Sequence, residues 1–297
     1  LIIDLSTVQN NFNRLCATEE NQMASMDIVK KLVYKTSPWL YNRVREVKFF
    51  RDIKGFQPKL IERRYGDHSF KVNIKDPLAE GWYDHDWEPL RELEILSEHG
   101  LQPGATVFDL GAHQNIVAMM LAARVGATGK VVAVEGSRHN AEIGRENAAA
   151  NGFTNVTTLH AVAADTVGEL AFSSSLNGHV SLAAGDFRQE TVRAITIDSL
   201  AEEYGTPDVV FVDIEGHEMA ALRGATRTLQ ARPAWFIELH GDEILAPYGA
   251  KNADVLDAFD EGWRFLCRPD EVSAFMPITE AREIPSCRSF LIAISTV

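Results

Sequence analysis

Thr106-Val107-Phe108-Asp109-Leu110-Gly111-Ala112-His113-Gln114-Asn115 is the stretch whose reading decides the fold. A β-branched and aromatic run closes on an acid and a glycine, and Ile116 to Ala122 then opens as an apolar, helix-competent segment. The order is strand, tight turn, helix. In an open parallel sheet, ligands lie beyond the carboxyl ends of the strands, so this turn is where a nucleotide-like cofactor belongs.

The turn also discriminates between cofactors. A dinucleotide fingerprint places three glycines so that the backbone can approach a pyrophosphate at a helix N-terminus. Here those positions hold Gly111, His113 and Ile116, and a branched Ile where the helix should press on the strand counts against NAD. S-adenosylmethionine carries no phosphate and tolerates larger residues in the turn. It needs an acid for its ribose at the end of the next strand, and Lys130 to Glu135 closes on Glu135. Both cofactor classes use such a carboxylate, so Glu135 supports an adenosyl ligand without choosing between them. Single acids of this kind ordinarily cap helices or end exposed strands. Asp109 and Glu135, closing consecutive strands, favour the cofactor reading.

Outward from this unit the alternation continues. Ser137 stands as N-cap of a helix from Arg138 to Ala150, and Val156 to Ala161 reads as the next strand. Gly168 to Phe172, Val192 to Ile197, Asp208 to Asp213, Pro233 to His240, Gly262 to Cys267 and Ser289 to Ile294 read as further strands completing the sheet. Helices are expected at Glu88 to Gly100, at Asp198 to Tyr204 and from about Gly216 to Gln230. Strands alternating with helices imply an α/β, doubly wound, Rossmann-like and mostly parallel sheet. Before it, residues 1 to about 65 read as a helical N-terminal extension, with helical apolar spacing in Asp27 to Tyr34 and Tyr41 to Val47 and a break at Ser37-Pro38. This Lys- and Arg-richer arm suits a solvated helical face, a cover for substrate or a contact between subunits of a homo-oligomer. The expected domains are therefore 1–65 and 66–297. Between the arm and the first turn lies Gly81-Trp82-Tyr83-Asp84-His85-Asp86-Trp87-Glu88, whose aromatics suit stacking on an adenine or sugar ring as well as anchoring the arm.

Composition narrows the partners. A net charge of −13 argues against a nucleic-acid backbone, which is bound through Lys and Arg, and against an anionic membrane surface. No window reaches the ~18 consecutive apolar residues of a membrane span. Cys16, Cys267 and Cys287 show no CxxC or zinc spacing, which suits a cytoplasmic, reducing setting. The chain begins without a Met, so a trimmed N-terminus is compatible with it.

Two strand ends bring ionisable groups to the same crevice: Asp213-Ile214-Glu215-Gly216-His217-Glu218 after one, and Glu238-Leu239-His240 closing the next. Asp213, Glu215, His217 and His240 are candidate bases for methyl transfer to a hydroxyl, with Asp213, Glu215 and His240 assigned as catalytic. Asp213, Glu215 and Glu238 also offer hard oxygen ligands to a divalent metal, although none is expected here.

The run of VFDLGAHQN, VVAVEGS, HAVAAD, ITIDSL, DVVFVDIEGHEMAALRGA and WFIELH resembles the FkbM family of S-adenosylmethionine-dependent methyltransferases over roughly residues 70–295. The resemblance implies a class I methyltransferase fold with a seven-stranded sheet whose last strand is antiparallel. It implies O-methylation of a hydroxyl on a sugar or small natural product. Matched onto this chain, Asp109 and Gly111 shape the methionine end, Glu135 holds the ribose, Val162 and Ala163 lie against the adenine, and Asp213 stands near the sulfonium. His113, Asn115, Gly136 and Ser137 complete the expected cofactor set. Family members usually carry glycine at the position of Asn115, and the wider class at His113 too. Asn tolerates positive φ, but its side chain could narrow the methionine pocket. That departure keeps a non-catalytic adenosyl-ligand or protein-interaction module as the alternative, with an NAD-dependent oxidoreductase behind it.

Overall fold

The computed structural model describes residues 51–174, 178–181 and 189–296. The chain divides into two compact units, Leu1–Gly55 and Phe56–Val297. Of the first, only residues 51–55, a helical turn, are described, so the expected helices at 27–34 and 41–47 and any subunit contact through them lie outside the described residues.

The second unit opens with a hairpin. Strands β1 (Lys59–Tyr65) and β2 (His68–Ile74) pair antiparallel from Lys59 opposite Ile74 to Tyr65 opposite His68. Residues 59–65, read from sequence as the close of the helical extension, are thus a strand: alternating half-buried and exposed residues give period two rather than 3.6. Helices α1 (Pro77–Tyr83) and α2 (Arg91–Ser97) follow, the first capped by the Asp76 side chain accepting from the Ala79 amide.

The alternating unit then runs β3 (Thr106–Leu110), α3 (Ile116–Val125), β4 (Lys130–Glu135), α4 (Arg138–Ala150) and β5 (Val156–His160). The small strands β6 (Val162–Ala163), β7 (Gly168–Ser173), β8 (His179–Val180) and β9 (Gln189–Ile195) lead to α5 (Ile197–Tyr204). Next come β10 (Val209–Val212), α6 (Glu218–Arg223), α7 (Thr226–Gln230), β11 (Ala234–Leu239), α8 (Asp242–Leu245), β12 (Trp263–Arg268), β13 (Met276–Ile278) and β14 (Ser289–Ser295). The single helix expected over 216–230 is broken at Gly224-Ala225, because Asp198 accepts from the amides of Arg227 and Thr228 and so starts a new helix there.

The large sheet has eight strands in the order β13-β12-β14-β11-β10-β3-β4-β5. Strands β5, β4, β3, β10 and β11 are parallel neighbours, and β14 is antiparallel to both β11 and β12. The expected seven strands with an antiparallel last one are all present, and the short β13 is an eighth added at the edge beside β12. A second correction concerns β7 and β9, which do not join this sheet. With β6 and β8 they form a separate four-stranded sheet, order β6-β9-β7-β8.

Alternate residues of the central strands feed two cores. Val107, Val131, Val209 and Phe236 pack into one, and Phe108, Val132, Val210 and Trp235 into the other. Burial on both faces is what allows strands as uniformly apolar as β10 and β11. No helix among the described residues is long and apolar enough to cross a membrane.

Candidate active site

Chain order reverses at β3, with β4 on one side and β10 on the other, and the ligand crevice of such a sheet opens at that point. The two strand ends meet here closely. A Cβ on Gly111 would lie 1.6 Å from the Asp213 carbonyl oxygen, so only glycine fits, and its φ of +90° suits glycine as well. The Gly111 and Ala112 amides donate to the Val134 carbonyl at 2.8 and 3.1 Å, and the Asp213 amide donates to the Leu110 carbonyl at 2.8 Å. Three strand ends are thereby locked together around a crevice.

Glu135 lines this crevice, and the main chain fixes its carboxylate. Oε1 accepts from the Ser137 amide at 2.6 Å and Oε2 from the His113 amide at 2.8 Å. Burial pushes its pKa up to about 7, opposed by these two amides and by Asn140. Gly111, His113, Gly136, Val162, Ala163, Asp213 and Glu215 line the same space, as expected. Phe172 and Val180 add an apolar wall from the small sheet, and Trp82 closes the side near His113. Tyr83 Oη lies 2.7 Å from His113 Nδ1, with burial holding the imidazole down near pKa 4 and therefore neutral.

Four expected site residues stand behind the lining. Asp109 is 2% exposed, its Oδ2 has no partner, and burial, then Asp213 and Glu135, raise its pKa to about 8. Ser137 contributes its amide to Glu135 and its hydroxyl to the Asn140 amide as N-cap of α4. Asn115 takes left-handed backbone, φ 66°, and is fully buried. Its Nδ2 donates to Thr158 Oγ1 at 2.7 Å, and its Cγ lies 2.7 Å from where a Cβ on Gly144 would be. The absent side chain at Gly144 makes room for the extra one at Asn115, on the side of α4 and β5 and away from the crevice lining. The Asn115 side chain therefore does not enter the crevice.

The fourth is His240, behind Asp213. Its Nδ1 lies 2.6 Å from Glu218 Oε1, and its Nε2 lies 3.3 Å from Asp213 Oδ1 and 3.6 Å from both Glu215 Oε2 and Glu238 Oε1. Burial works to lower its pKa, but the neighbouring carboxylates of Asp213 and Glu218 carry it up to about 11. Both ring nitrogens of His240 therefore face carboxylates, Nδ1 toward Glu218 and Nε2 toward Asp213. Glu238, pushed to about 7 by burial and Asp213, is relieved by a short ion pair with Arg288, which also reaches Glu271 at 2.8 Å.

Sequence reasoning missed Glu218, which lies in the first turn of α6 and is wholly buried. Its signal was the helical register that turns it inward toward β11. Phe172 was missed because its strand was assigned to the main sheet, and Val180 because no strand was expected at 179–180. His217, weighed as a candidate base, does line the crevice, with Nδ1 2.9 Å from the Ala163 carbonyl oxygen and its pKa lowered by burial. Like Asp213 and Glu215 it comes from the turn after β10, where Glu215 also has positive φ, 46°.

The lining fits an adenosyl sulfonium better than a dinucleotide. It contains the carboxylates of Glu135, Asp213 and Glu215 and neither Lys nor Arg among the described residues. A pyrophosphate would meet only like charge there, whereas a cationic sulfonium meets its complement.

The methyltransferase FkbM domain pattern matches residues 109–267. Among solved structures, a methyltransferase FkbM from Methylobacillus flagellatus KT shares 16% identity over 64% of this chain and 43% of that one, with a TM-score of 0.40. A putative rRNA-methylase from Clostridium thermocellum shares 11% over 70% and 96%, TM-score 0.45. A putative O-methyltransferase from Klebsiella pneumoniae shares 13% over 86% and 99%, TM-score 0.44. The match thus spans less than half of the Methylobacillus protein. No curated protein matches the chain.

Proposed function

The chain belongs to the FkbM methyltransferase family, and on that premise we propose that it methylates a hydroxyl oxygen of a small-molecule or glycan acceptor, a sugar or natural product, using S-adenosylmethionine. The observation that carries this reading is the amide-fixed Glu135 in a crevice otherwise acidic and apolar.

When bound, S-adenosylmethionine supplies an electrophilic methyl group on a cationic sulfur. Glu135, already oriented by two amides, receives the ribose hydroxyls through its remaining lone pairs. Val162, Ala163, Phe172 and Val180 offer the adenine an apolar slot. Gly111, with no side chain, leaves space for the methionine end beside Asp213. Asp213 and Glu215, whose side chains are 43% and 33% exposed, stand at the open side where an acceptor enters, and either takes the hydroxyl proton. Trp82 and the Tyr83–His113 pair restrict water on the opposite side. Most of the acceleration comes from alignment of the two reactants.

Calorimetric titration tests the reading. S-adenosylmethionine and S-adenosylhomocysteine are expected to bind in the micromolar range, NAD not at all, and Glu135→Ala to weaken both ligands by ~30-fold or more, as loss of a charged hydrogen-bonding partner would. Binding of NAD, or adenosyl binding indifferent to Glu135, would overturn it. Turnover surviving both Asp213→Ala and Glu215→Ala would remove the proton-acceptor assignment alone. The non-catalytic alternative rested on Asn115, and with that side chain packed against Gly144 it loses its support.

A further inference from the structure

The groups behind the acceptor end exceed what methyl transfer itself requires. Four carboxylates, Asp213, Glu215, Glu218 and Glu238, surround one imidazole, His240, and the one guanidinium at the cluster, Arg288, is shared with a fifth acid, Glu271. One ligand atom each from Asp213, Glu238 and His240 falls within 4.8 Å of the others. The individual separations from His240 Nε2, 3.3 to 3.6 Å, are long for hydrogen bonds. Neighbouring corners of a coordination shell lie ~3.0–3.4 Å apart when each donor is ~2.1–2.4 Å from the ion; the Asp213 separation falls in that range and the 3.6 Å ones lie just beyond it, within a small side-chain adjustment.

Glu218 is the second, independent pointer. It is fully buried, its Oε1 accepts from the Gly216 amide and engages His240 Nδ1 at 2.6 Å, and its Oε2 is buried with no partner. A carboxylate on one imidazole nitrogen fixes the ring and aims the other nitrogen at a metal, the usual outer arrangement of histidine-ligated ions. Here Nε2 is the nitrogen aimed at Asp213 and Glu238. The half-exposed Asp213 and Glu215 side chains give a path from solvent, while Glu238 and His240 are the buried donors.

We propose that Asp213, Glu238 and His240 form a divalent-cation site at the acceptor end of the crevice, with Glu215 at its mouth and Glu218 as the positioning residue for His240. Two hard carboxylates with one imidazole select a cation of the Mn²⁺ class over calcium, which prefers oxygen alone. Of the three, Asp213 lines the crevice, so an acceptor would reach a bound ion past Asp213 and Glu215, and one presenting two adjacent hydroxyls is the substrate class it would hold; this last clause rests on the methyl-transfer reading, whereas the cation site does not. The competing arrangement is a proton on Nε2 satisfying the acids without any metal.

The test uses the full chain freed of metal by a chelator and titrated with Mn²⁺, following the loss of the free-ion electron paramagnetic resonance signal. One bound ion with micromolar affinity is expected. Glu238→Gln and Asp213→Asn should each weaken it at least 10-fold, and Glu218→Gln 10- to 100-fold as an outer-shell loss. Circular dichroism shows that each variant is folded, and S-adenosylhomocysteine titration of wild type, Glu238→Gln and Glu218→Gln reads the crevice separately. No Mn²⁺ bound at millimolar concentration by folded wild type, or affinity unchanged in Glu238→Gln and Asp213→Asn, overturns the site. Mn²⁺ binding without S-adenosylhomocysteine binding would defeat the methyl-transfer reading and leave the cation site standing; the reverse result would do the opposite.

Discussion

Glu135 and His240 both close or follow strands of the same sheet and both are nearly buried, yet they are held in opposite ways. Glu135 hangs from two main-chain amides, so its position is a property of the backbone. His240 hangs from other side chains, each of them ionisable, so its position depends on the ionisation and occupancy of its neighbours. A ligand group that must always face the same way is best fixed by amides. A group whose partner is exchangeable is better fixed by charges.

The strongest way to break the first arrangement is Gly111→Ala. A Cβ 1.6 Å from the Asp213 carbonyl forces β3 and β10 apart, and S-adenosylhomocysteine binding is expected to fall more than ~100-fold with stability reduced by about 3 kcal/mol or more, read by calorimetry and urea unfolding. Glu218→Leu tests the second arrangement by leaving His240 among carboxylates without its buried anchor. A loss of about 3–5 kcal/mol is expected, against about 1–3 kcal/mol for Glu135→Gln, and equal losses would erase the contrast between the two regions.

Acidity separates them further. Asp109 and Glu135 hold their protons to about pH 8 and 7 in the folded chain but release them near ordinary carboxylate values when unfolded. Between those values the folded state binds more protons, so stability falls as pH rises from about 4 to 8. His240 acts in a higher window: its contribution is complete below the ordinary histidine value and is lost as pH rises through about 11. Urea unfolding at several pH values should show the decline, and Asp109→Asn should flatten its lower part by a few kcal/mol, on the order expected for a buried carboxyl. A profile that rises over that range would contradict the shifts.

The smallest effects concern Asn115 and Gly144. Gly144→Ala should cost about 1–3 kcal/mol by crowding Asn115, and Asn115→Gly should recover most of that loss in a double-mutant cycle. Asn115→Gly alone should change cofactor affinity by less than ~3-fold, because its side chain lies outside the crevice lining. A larger gain in affinity would return that side chain to the methionine pocket.

The parts legible in the sequence were those written in local pattern. Strand β3, its turn, Glu135 as a strand-end acid and the Ser137 cap follow from periodicity and capping chemistry within ten or so residues. Asp213, Glu215 and the crevice they face followed from strand ends in a parallel sheet. What escaped depended on distant pairing. The direction of the Asn115 side chain is decided by a missing Cβ at Gly144, and the charge state of His240 by Glu218 in another element. The separate small sheet escaped because β7 and β9 have the same composition as main-sheet strands, and only their pairing distinguishes them.

His113, Asn115 and Glu215 are three of the four described non-glycine residues with positive φ, and His113 and Glu215 line the crevice. Each such backbone costs of order 1 kcal/mol or more relative to glycine. Selection for heat tolerance alone would therefore drift toward glycine at these positions. At His113 and Glu215 the larger side chain therefore sets the chemistry of the crevice at the expense of the durability of the fold.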